Sequence, residues 1–208
     1  NQICITFSSP PIKTRKDTDE SFTEAFVLTE SLVGEEVLNQ WVGAIEVVPW
    51  AKRPARSSPV KDLQKEVRRR ISEVQASLPA RPIHRLKNDD KWSLMKLEPA
   101  KKTDYPEQQD MFVGKARFLE LWENGHDGTA FDSIRYSKTG ETFCYVKLDG
   151  RKANLETFPD KAAIEDALED ALGHANLGCP IGGGTGLVYS YVDLAVTDLA
   201  RAIPVIRR

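Results

Sequence analysis

Along SSPVKDLQKEVRRRISEVQASLPARP the apolar residues fall at Val60, Leu63, Val67, Ile71, Val74 and Leu78. Steps of three and four residues put them in one stripe, which predicts an amphipathic helix. Ser58 is placed to cap that helix, Pro59 to open it and Pro79 to end it. Between Ser21 and Trp41 the positions Phe22, Phe26, Leu28, Leu32, Val33, Val37, Leu38 and Trp41 predict a second helix, broken at Gly34. Alternating β-formers predict strands in ICITF (2–8), AIEVVPW (44–50) and KWSLMKLEP (91–99), the first broken by SSPP and the others closed by Pro49 and Pro99. The charged run KTRKDTDE between the first strand and the first helix reads as a solvated loop.

Beyond residue 110 the pattern is denser. MFVGKARFLELWENG predicts a short helix through Phe118, Leu119, Leu121 and Trp122, stopped by Gly125. FDSIRYSKTGETFCYVKLDG reads as a hairpin, two alternating runs about Lys138-Thr139-Gly140. In DKAAIEDALEDALGHANLG a helix turns Ile164, Leu168, Ala171 and Leu172 inward and Glu165, Asp166, Glu169 and Asp170 toward water, with Gly178 as its cap. A glycine loop, GGGTG, precedes a strand over 187–196, and a last helix starts at Thr197.

KKTDYPEQQD (101–110) is polar and poor in apolar residues, as a surface connection would be. The expected organisation is an N-terminal unit over 1–105 carrying the basic helix and a β-β-α-β-α unit over 106–208, packed as one domain or two. Strands grouped with helices predict an α+β fold, namely ferredoxin-like α/β sandwich units in tandem with helix-covered antiparallel sheets.

Composition adds limits rather than a function. With 40% hydrophobic and 29% charged residues, the 208-residue chain has enough apolar content for a buried core. A net charge of −2 does not by itself call for nucleic acid. Cys4, Cys144 and Cys179 form no paired spacing, so neither a disulfide framework nor a metal knuckle is expected, and a reducing cytoplasm fits best. No run approaches the ~20 apolar residues of a membrane span, and the start does not read as a signal peptide. The first residue is not Met and the last helical pattern is cut short, as in a piece of a longer protein.

The glycines at 182–186 raise the question of phosphate binding. Phosphate loops run from strand through loop into helix, whereas here a strand follows. No lysine follows them and the third glycine of GxGxxG is missing. GGGTG resembles the phosphate signature of the tubulin-like GTPases over five residues, but that family continues into a helix and has a far longer chain. Backbone shaping is the reading that follows. The stretches ETFCYVKLDG and GGGTGLVYSYVDLAVTDLARAI resemble bacterial proteins, and that resemblance implies no named activity.

His84, His126 and His174 are too scattered for a metal site, and no catalytic residue, metal or cofactor is expected. Three functional readings remain. The favoured one is a non-catalytic binding protein of inhibitor or immunity type, touching another protein through Tyr189, Tyr191 and Asp193, which alternation places on one strand face. The second is nucleic-acid binding through the basic segment 52–70, with Lys61, Lys65, Arg68 and Arg69 as phosphate contacts. The third is an enzyme using Cys179 beside the glycines, which requires an exposed thiol with a stabilised thiolate.

Overall fold

The computed structural model describes residues 2–86, 92–98, 110–127, 132–149, 158 and 160–207, the side chains of 125–127 excepted. The chain divides into two compact units, Asn1–Leu78 and Pro79–Arg208. Apart from Asp110, the polar segment 101–110 lies outside the described residues.

In the first unit, β1 (Ile3–Phe7) leads to α1 (Arg15–Val33), α2 (Glu35–Trp41) and β2 (Val42–Val47). The expected charged loop is largely helix. Thr14 and Asp17 form a reciprocal capping box, each side chain bonding the other's backbone N–H, which starts α1 six residues before Ser21. Gly34, at φ 91°, separates α1 from α2. The two strands pair in parallel, not antiparallel as expected, because a helical crossover returns the chain to the starting end before β2 begins. After a short 3-10 turn, α3 (Leu63–Ser77) begins at Asp62 rather than at Ser58. Ile5, Val33, Leu38 and Val67 form the core, so the stripe on α3 does face inward.

The second unit is built on an antiparallel five-stranded sheet. Its strands are β3 (Ser93–Lys96), β4 (Met111–Ala116), β5 (Thr142–Asp149), β6 (Gly178–Gly186) and β7 (Tyr189–Val196), in spatial order β3-β4-β6-β7-β5. The helices are α4 (Leu119–Asp127), α5 (Lys161–His174) and α6 (Leu199–Ile206). The α+β class and a helix-packed antiparallel sheet are what the fold retains of the sequence expectation.

Three local readings are corrected here. Residues 111–116 form a strand, since the apolar positions of the helical pattern begin only at Phe118. The first run of the expected hairpin is a 3-10 turn, Ser133–Arg135, and β5 pairs with the distant β7. Ser137, Thr139 and Glu141 instead knot the intervening segment through side-chain hydrogen bonds, and Glu141 also accepts from the Ile83 amide at 2.9 Å. Gly178 opens β6 and does not cap α5, which ends at His174 with Ala175 as its cap and turns at Asn176, φ 55°.

One face of the sheet packs against α5 and α6. Val192, Leu194 and Val196 meet Leu168, Leu172 and Ala202, with Cys144 and Val146 beside them. On the opposite face, Cys179, Ile181 and Ala195 pack with Ile83, and Phe118, Leu121 and Phe143 close over them. Trp122 of α4 lies against Gly114, where any β-carbon would strike its ring. No helix among the described residues is long and apolar enough to cross a membrane.

Candidate functional site

Register decides which β7 side chains share a surface. Tyr145 pairs with Asp193, Lys147 with Tyr191 and Asp149 with Tyr189, so the predicted trio joins residues of β5 that sequence spacing could not connect. The Tyr145 and Tyr191 rings stand 5.9 Å apart and tilted, and the Lys147 ammonium lies 3.9 Å from the centre of the Tyr189 ring. Such aromatic and cation–ring contacts orient the group beyond simple burial.

Exposure within this patch is graded. Tyr145 is 60% exposed, Tyr189 and Asp193 are partly exposed, and Tyr191 is only 3% exposed. Tyr191 therefore supports the patch from beneath, and Tyr145 supplies the outward ring. Asp193 sits over Gly182, with its carboxylate where a β-carbon of that residue would come within 2.8 Å. Burial pushes the Asp193 carboxyl up to about 6; Lys161 opposes that rise and Glu165 adds to it.

The glycine stretch is not a loop. It is the central strand β6, paired on one side with β4 and on the other with β7. A bulge between Pro180 and Gly182 relaxes the ladder where proline offers no N–H. Gly183 has φ 145°, and a β-carbon there would run into the Tyr191 carbonyl oxygen. At Gly186 the same atom would collide with the Asp110 carboxylate, which accepts hydrogen bonds from the amides of Val188 and Tyr189. These amides are held by the protein itself, which accounts for the glycines by backbone packing.

Cys179 is buried, and burial pushes its thiol up to about 12 despite the nearby Arg117. The enzymatic reading asks for an exposed thiol with a stabilised thiolate, whereas this one is buried and its neutral form is favoured. His174 is exposed at the end of α5, while His84 is turned to Asn176 at 3.0 Å. In native protein treated with an aromatic disulfide reagent near neutral pH, one thiol, the exposed Cys4, is expected to react quickly. Cys144, raised by burial and by Asp193, and Cys179 are expected to react only on unfolding; a second fast thiol would contradict this placement.

In the basic segment, Lys61, Lys65 and Arg68 are exposed on α3 and its leading turn. Arg69 is engaged: it bonds Glu66 at 2.9 Å and Glu73, and Arg70 also reaches Glu73. Arg53 stacks on Trp50, 4.1 Å from the ring centre, so that aromatic ring is already occupied by a cation. Nearby, a cleft of about 620 Å³ runs along β1 and takes in Arg56 and Glu66.

Sequence reasoning placed Glu165 on the wet face of α5, but it is 8% exposed. It accepts from Lys115 of β4 at 2.8 Å and from Lys161, one turn back on its own helix. The only sequence signal was the i,i+4 spacing of Lys161 and Glu165; Lys115 is distant in the chain. No group of three or more His, Cys, Asp or Glu among the described residues could hold a metal ion. Compared with known proteins, the chain matches no family, no curated protein and no solved structure.

Proposed function

We propose that this chain is a non-catalytic binding protein of inhibitor or immunity type, acting by protein–protein contact through the β5–β7 face. The observation that carries this reading is Tyr145, a large ring left 60% exposed while backed by Tyr191. A ring braced by neighbours presents broad contact area with little entropy left to lose on binding, the property that favours tyrosine at recognition surfaces. Lys147 and Asp193 give this face polar groups of both signs at the margin of the rings.

A photo-activated cross-linking residue in place of Tyr145, introduced in cells that make the protein, tests the reading. A discrete cross-linked protein is expected from that site and not from the same residue at Leu199 on α6. It should disappear when Tyr189 is also replaced by alanine. No adduct at position 145, or equal adducts at both positions, would overturn the proposal.

A further inference from the structure

On the sheet face packed by α5 and α6, residues of β3, β4, β6 and the start of α5 line an open cleft of about 190 Å³. Gly183 and Gly184 form its floor, Leu94, Val113 and Ala162 its apolar walls, and Lys115 and Lys161 face each other across Glu165. Each ammonium has three N–H donors and gives one to Glu165. Among the described residues neither lysine has another hydrogen-bond acceptor; the Lys115 ammonium also lies 5.3 Å from the centre of the Trp92 ring, and its side chain is partly exposed. The Lys161 side chain is only 17% exposed, which leaves its donors little access to bulk water. Glu165 is the single acid of the lining, so the local charge is +1, and the N-terminal end of the α5 dipole adds to it.

We infer that this cleft is a binding site for a short-chain monocarboxylate. One carboxylate oxygen reaches Lys115 and the other Lys161, opposite Glu165, and the hydrocarbon tail lies against Leu94 and Val113. The volume equals the liquid share of about six waters, which suits such a ligand. An ammonium removed from water binds an anion more strongly than one at the surface, because its competing hydration is already lost. Its lining shares no residue with the β5–β7 face, although Lys161 and Glu165 act on Asp193 electrostatically.

Titration of the full chain with butyrate, acetate and inorganic phosphate, followed by amide chemical shifts of 113–115 and 161–165, tests the inference. Butyrate is expected to saturate in the millimolar range and to bind more tightly than acetate or phosphate. Lys115→Met and Lys161→Met should each weaken it about tenfold or more. Glu165→Gln, which keeps a hydrogen-bond acceptor but removes the competing charge, should tighten it severalfold. This opposite sign separates a ligand role from a structural one, because all three changes disturb the same ion-pair cluster. Absence of saturation at tens of millimolar would overturn the inference. So would an affinity unchanged in Lys161→Met or weakened in Glu165→Gln with wild-type thermal unfolding. Phosphate binding as tight as butyrate would overturn the assignment of an apolar tail.

Discussion

Gly183→Ala is expected to lower the free energy of unfolding by about 3 kcal/mol or more, or to prevent recovery of folded protein. Two effects add at this position. Its φ of 145° is one that side-chain-bearing residues rarely adopt, and the new β-carbon would overlap the Tyr191 carbonyl oxygen. That oxygen belongs to the adjacent strand of a central ladder, so it cannot yield without opening the β6–β7 pairing. Gly140→Ala supplies the comparison: φ is 78°, but nothing lies within 4 Å of the added atom. Only the backbone preference is then lost, and the expected cost is about 1 kcal/mol. Urea unfolding of the two variants measures the difference. Equal costs would show that the close approach of β6 and β7 does not constrain residue 183.

Asp193→Asn is expected to make the protein more stable at neutral pH, by about 2 kcal/mol, and to leave it unchanged near pH 4. Burial raises the folded-state carboxyl from 3.8 to about 6. Between those values the folded protein holds a proton that the unfolded chain has released. Stability therefore falls as pH rises through this window and stays reduced above it. A shift of about two units corresponds to nearly 3 kcal/mol at full effect; the partial exposure of Asp193 brings the expected figure down. The asparagine amide cannot ionise, so the gap between variant and parent should open from about pH 4 and level off above pH 6. Unfolding curves across that range measure it. A constant offset would mean that the amide alters packing and that the carboxylate carries no penalty. A gap that narrows with rising pH would reverse the sign and place a cation against Asp193.

A penalty of this kind fits a surface awaiting a counterpart. Asp193 makes no hydrogen bond or ion pair with any described residue, and it stands opposite Tyr145 and two residues along from Tyr191 on the face proposed for protein contact. Residues placed for recognition often cost stability in the free protein.

Periodicity determined the elements whose apolar stripe is local. The stripe of α3, the inward residues of α5 and the alternation of β7 depend on spacing within one segment, and each holds in the fold. The sharing of one face by Tyr189, Tyr191 and Asp193 follows from the two-residue repeat of a strand, so it too was legible. Local capping was legible in principle, since Thr14 and Asp17 carry their own signature.

Other features depended on partners far away in the chain. Residues 178–186 show no alternation, because a strand of glycines has no side chains to alternate. Only its neighbours β4 and β7 make it a strand, and only their closeness requires the glycines. Tyr145 became the outward ring because β5 pairs with β7 and not with 133–135. Glu165 was drawn from the wet face of α5 by Lys115, fifty residues away, whose charge makes burial tolerable. Sequence alone determined which way each segment turns its apolar side. The tertiary structure decided which polar groups meet, because a buried charge or a bare backbone is stable only beside a partner that local spacing does not encode.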